Sequence, residues 1–151
     1  MGHSLPPVTI IHGSDIREQS VTPGEIIQGP YTSGMAILGD TPVAVSTPDA
    51  EEGARRGLPV HEAVLVRRKT IGQGGGEAWH THMSYYDIFF YILSGKATMT
   101  WDQDGERHEE EFGPGDFVHM SPGSTHQWLN NGDEDLKLVE FGHFHNYEGQ
   151  T

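Results

Sequence analysis

The sequence predicts an all-β protein, most simply a closed barrel of two sheets, and three observations carry that prediction. Twenty glycines and nine prolines cut the 151 residues into short pieces, as many short strands joined by turns require. The apolar stretches between them alternate or form brief β-branched and aromatic runs, without a sustained helical period or an internal repeat. Short strands also need protected edges, which closure of a double sheet supplies. The length suits one domain with a sizeable core.

The elements follow in chain order. Residues 1–33 show little periodicity and are expected to run as an arm or edge strand. Residues 34–46 read as one or two strands. The polar run 47–59 reads as a loop that has room for one helical turn. Residues 1–60 are therefore assigned to an N-terminal arm with edge strands, 61–146 to the barrel core and 147–151 to a tail. Within the core, His61 to Thr70 reads as a strand, and Tyr86 to Leu93 as a buried one. Ala97 to Trp101 alternates into Asp104-Gly105, a strong hairpin signal. Arg107 to Phe112, Phe117 to Met120, His126 to Asn130 and Leu136 to Phe144 supply the remaining strands.

Composition excludes several functions. With 22 acidic against 9 basic residues and a net charge of -13, the surface repels nucleic acid and anionic membranes. The absence of cysteine removes disulfides, thiolate ligands and a cysteine nucleophile. No stretch is apolar for long enough to span a bilayer, so a cytoplasmic location is the default expectation. Gly72 to Gly76 is followed by no Lys-Ser/Thr pair and is not a phosphate loop, and Gly13-Ser-Asp is no serine-nucleophile elbow.

The chemistry concentrates in histidines. His80 and His82 stand as His-Thr-His in Gly74-Gly-Gly-Glu-Ala-Trp-His-Thr-His82, and His126 closes Gly115-Asp-Phe-Val-His-Met-Ser-Pro-Gly-Ser-Thr-His126. On a strand, residues two apart share a face, so His80 and His82 can grip one ion together. The Pro122-Gly123 turn reverses the chain just before His126, which makes it the natural third ligand. Three neutral imidazoles suit a divalent first-row metal and leave positions open for substrate or oxygen. His61, His108, His119, His143 and His145 read as surface or strand-face residues, although His143 and His145 repeat the spacing. His3 and His12 lie in the arm.

These stretches resemble the two motifs of the cupins. Gly74, His80, His82 and Gly95 fit the first, and Gly115, Gly123, His126 and Asn130 the second, over roughly residues 61–145. The resemblance implies a jelly-roll barrel, or double-stranded β-helix, with extra N-terminal strands, a small-molecule pocket and a homodimer. Two positions depart from the pattern. Ser121 replaces a proline, with Pro122 adjacent. The first motif's glutamate has no counterpart: counting back from Gly95 reaches Ile88, and counting forward from His82 reaches Asp87. Since 87 and 88 point to opposite faces, only a bulge or the strand mouth brings Asp87 to the metal. A three-histidine site completed by water is expected, with Asp87 kept as a candidate fourth ligand or as a partner of a ligand.

The family's inward position at Ile88 makes Phe90 and Ile92, on the same face, the expected pocket walls with it. The remaining aromatic residues read as core and interface. Glu77, placed in the loop before His80, is a candidate base. Arg67, or its neighbour Arg68, is a candidate to point inward and bind a substrate carboxylate or enolate. Cupins lacking the acidic ligand resemble oxygen-using enzymes that act on thiols, diketones and aromatic rings. The first expectation is therefore an iron dioxygenase-like enzyme, with Mn, Ni and Zn as alternatives to Fe. A redox-neutral isomerase, decarboxylase, lyase or polyketide cyclase is the second, and a non-enzymatic sugar- or metabolite-binding module the third.

Overall fold

A computed structural model of the chain describes residues 7, 8, 10–39, 60, 61 and 64–144. The loop expected over 47–59, the end of the 34–46 segment, His3, His145 and the tail 147–151 lie outside the described residues.

Apart from one 3-10 turn at Gly13–Asp15, the described elements are all strands: β1 (Gln19–Ser20), β2 (Ile27–Gln28), β3 (Tyr31–Gly39), β4 (Val60–His61), β5 (Val64–Ile71), β6 (Gly76–Thr81), β7 (Tyr86–Ser94), β8 (Ala97–Gln103), β9 (Glu106–Phe112), β10 (Phe117–Met120), β11 (Thr125–Leu129) and β12 (Leu136–Phe144). They form two sheets. One runs β1-β3-β5-β12-β7-β10, with β4 beside β3, and the other runs β2-β6-β11-β8-β9. Successive strands cross between the sheets in a jelly roll, and apart from the parallel β3-β4 pair the ladders are antiparallel. The N-terminal strands extend both sheets from within the chain: β3 pairs with β5, and β2 with β6.

Alternation builds the core. Along β7, Tyr86, Ile88, Phe90 and Ile92 are buried while the residues between them are partly or fully exposed. Phe90 meets Trp128 of the opposite sheet edge to face, with ring centroids 5.3 Å apart, a favourable arrangement for two buried aromatics. The β8-β9 hairpin turns at Asp104-Gly105, both with positive φ, as an Asp-Gly turn of that length prefers. Asn130 fastens the floor below β6. Its side-chain amide donates to the Ile71 and Glu134 carbonyls at 2.9 and 2.8 Å, and its own carbonyl accepts the Gly74 N–H at 2.8 Å. The turn leading into β6 is thereby tied to the end of β11.

Candidate metal centre

Strand pairing assembles the site. β11 lies beside β6 with His126 directly opposite His80, and side chains opposed across an antiparallel ladder share a face. The register then slips: His126 pairs with His80, but Trp128 pairs with Glu77. Two residues of β6, Ala78 and Trp79, therefore oppose Gln127 alone, which is a β-bulge. The bulge has two consequences. It brings Glu77, an odd number of residues from His80, onto the same inner face. It also leaves the Ala78 carbonyl 2.7 Å from His80 Nδ1, whose N–H it accepts. Gly76 makes the close approach possible: with φ of 147°, it lies where a methyl group would overlap the Trp128 carbonyl oxygen.

His82 follows the last residue of β6 and turns inward beside the other two. The ring centroids are 4.8 Å apart for His80 and His82, 4.9 Å for His80 and His126, and 4.8 Å for His82 and His126. One nitrogen from each lies within 4.8 Å of the others. His126 Nδ1 is 3.1 Å from Ser124 Oγ, and among the described residues its buried Nε2 and both nitrogens of His82 have no partner. Buried polar atoms without partners are rare in folded proteins. Burial, reinforced by His82 and His80, lowers the His126 pKa to about 3, and burial with His80 nearby also lowers that of His82. Three imidazoles that bring a nitrogen each within reach of one ion, two of them pushed toward the neutral form by burial, are the donor set a divalent cation takes, so these residues fit a metal ion.

The other sequence-derived candidates are placed as follows. Asp87 is not in the cluster: it lies on the outer face of β7, with Oδ1 2.7 Å from His119 Nε2. Alternation wins because β7 runs in register past this point, without the bulge that would turn the carboxylate inward. Tyr86 and Ile88 occupy the inner face instead, and the Tyr86 ring stacks on His82 with centroids 6.2 Å apart. Glu77 sits within β6 rather than in a loop, and its Oε1 lies 3.6 Å from His80 Nε2. Arg67 points inward, and its Nη1 meets Glu140 at 3.7 Å. Arg68 turns the other way, to Glu18 at 3.2 Å. Ile88, Phe90 and Ile92 are core residues, 5%, 1% and 1% exposed. They do not line the cavity that opens among β8, β9, β10 and the start of β11.

A buried polar network went unread in the sequence. Lys69 Nζ lies 2.6 Å from Glu140 Oε1 and 3.7 Å from Glu77 Oε2, and the Tyr31 hydroxyl donates to Glu77 Oε2 at 2.8 Å. Burial pushes the Glu140 carboxyl up, but Lys69 and Arg67 outweigh it and hold the group below the usual carboxylate range. Burial, with Glu77 beside it, raises the Tyr31 phenol well above its usual value. The signal was parity: residues 65, 67, 69 and 71 share the inner face with Leu65 and Ile71, as 140 does with Leu136 and Leu138.

The cupin-domain family model Cupin_2 matches residues 67–142, about half of the chain, and the protein belongs to that family. Among solved structures, it is similar to one named a predicted oxalate decarboxylase from Thermotoga maritima. That match has 18% identity and a TM-score of 0.62, covering 90% of this chain and 99% of the other. It is also similar to a sugar phosphate isomerase of the cupin superfamily from Silicibacter pomeroyi, at 18% identity and a TM-score of 0.60, covering 89% and 75%. A protein from Bacillus halodurans matches at 21% identity and a TM-score of 0.52, over 60% and 69%. No curated protein matches the sequence. Among the described residues, no helix is long and apolar enough to cross a membrane.

Proposed function

We propose that the protein is a metal-dependent enzyme acting on a small molecule, in which His80, His82 and His126 hold one divalent ion. Iron is favoured over manganese, nickel and zinc, and the reaction is dioxygenase-like. The observation that carries this reading is the convergence of three imidazoles, two of which, His82 and His126, hold buried nitrogens with no partner among the described residues, while Tyr86 and Ile88 take the inner face of β7. An ion held by three histidines alone supplies open positions for substrate and, as iron, a route for electrons to oxygen. Phe90, Ile88 and Trp128 keep water out behind the site. Glu77, fixed by Tyr31 and Lys69, stands ready to take or return a proton at Oε1, next to His80. Oxygen uptake by protein loaded anaerobically with iron, challenged with diketones, flavonols and hydroxylated aromatics, tests the proposal. Loaded protein that consumes no oxygen with any of these classes refutes the dioxygenase reading.

The position of Glu77 favours one second reading. A carboxylate fixed beside the ligands serves redox-neutral proton transfer, as in an isomerase, decarboxylase or lyase, equally well. Turnover in the strict absence of oxygen selects this reading over the first.

A further inference from the structure

The two sheets part where β9 and β10 are their edge strands among the described residues, and the gap is a cavity of about 600 Å³. Its walls mix apolar and polar side chains in comparable measure, with Met99, Trp101 and Phe112 from one sheet facing Val118 and Met120 from the other. His126 lines the same cavity, 1% exposed and with Nε2 unpartnered. A molecule entering between the edges therefore reaches the histidine cluster along a slot that offers it both apolar and polar contacts.

The charges around that slot are of one sign. Asp102, Glu110, Glu111 and Asp116 line it, and no lysine or arginine does among the described residues. Three of these acids are already engaged. Asp102 pairs with Arg107 at 3.4 Å, Glu111 with Lys96 at 3.7 Å, and Asp116 accepts the Gly113 N–H at 2.8 Å. Glu110 has no hydrogen-bond or ion-pair partner among the described residues, and it stands opposite Met99 on the face turned toward the slot. The interior cations give an entering anion no welcome, because Lys69 is held by Glu140 and Glu77, and Arg67 by Glu140. A cleft rimmed by one sign of charge concentrates ligands of the other.

We infer that the substrate is a small organic cation whose body packs against the apolar side chains of the slot, and that Glu110 is the residue that selects it by pairing with its protonated amine. The inference rests on the reading of the histidine cluster as the reactive end of the slot. The body lies between Trp101 and Met120, and its far end reaches His126. An inward charge on an edge strand also discourages sheet-to-sheet pairing, so a test must separate that role from selection.

Three ligands that share a hydroxyphenyl body provide it: tyramine, its neutral alcohol analogue tyrosol, and 3-(4-hydroxyphenyl)propionate. Their affinities are measured by calorimetry on protein loaded with zinc, whose content is checked by elemental analysis. Tyramine is expected to bind about tenfold more tightly than tyrosol, with the carboxylate weakest, and high salt should narrow the gap. Glu110→Gln should reduce tyramine to the level of tyrosol, while Glu109→Gln, on the outer face of the same strand, should leave the preference intact. Equal binding of the cation and neutral ligand, preference for the carboxylate, no binding by any of the three, or an unchanged preference in Glu110→Gln each overturns the inference. The two readings fail separately: protein that takes up no zinc but keeps the cation preference refutes the metal centre, whereas zinc-loaded protein without the preference refutes the selection by Glu110.

Discussion

Lys69 Nζ and Glu140 Oε1 lie 2.6 Å apart inside the barrel, on β5 and β12, with both side chains 3% exposed. A buried pair of this kind contributes little net stability compared with an apolar pair, but losing one partner strands the other. Lys69→Met is accordingly expected to destabilise the fold by about 3 kcal/mol, because Glu140 is left to Arg67 alone and Glu77 to Tyr31. Adding Glu140→Leu to that variant should recover part of the loss. Urea unfolding of the two single variants and the double variant measures the coupling, and strict additivity would count against it.

Acid should weaken the fold through the same carboxylate. Glu140 has a folded pKa held below its unfolded value, so the unfolded state binds its proton first as pH falls. Its contribution is fully present above the unfolded value of about 4.3 and is lost as pH drops through the folded one. The urea midpoint of the wild type should fall below about pH 4.3, and the slope should be shallower in Glu140→Gln. Parallel acid limbs in the two proteins would remove Glu140 as the cause.

Metal retention should depend on all three imidazoles. His80→Ala, His82→Ala and His126→Ala are each expected to lose most of the bound metal on purification, as read by elemental analysis. Chelation of the wild type should lower its melting temperature, since a ligand present at 100 times its dissociation constant stabilises the folded state by about 2.7 kcal/mol. The triple variant should show no response to chelator.

Asp87→Asn should leave metal content unchanged. The carboxylate is spent on His119 at the outer face of β7, and exposed pairs of this kind contribute about 1 kcal/mol or less. A folded Asp87→Asn protein that has lost its metal would place the carboxylate at the ion after all.

The sequence made the strands and the histidine spacing readable because both are local. β7 alternates visibly, Asp104-Gly105 announces its hairpin, and two glycine-framed motifs resemble a known family. What escaped was the long-range pairing. Glu140 lies 71 residues from Lys69, and a charged residue in a strand ordinarily reads as solvated. Arg67 was therefore given to a substrate anion when the protein supplies its own. The bulge at Ala78 and Trp79 was equally hidden, since only the partner strand reveals the slip. Without it Glu77 faces away from His80, which is why the residue could be suspected as a base but not located.

The placement of the slot has a further consequence. The clustered histidines belong to β6, its C-terminal end and β11, and β11 is hydrogen-bonded on both flanks, whereas among the described residues β9 and β10 each have a neighbour on one flank only. The part of the barrel that grips is braced, and the part that chooses is a rim. Side chains on the rim can be rewritten without reopening the ladders that fix the imidazoles. One unchanged ion-holding frame can in this way be turned to new substrates, by natural drift or by design, through a handful of edge positions.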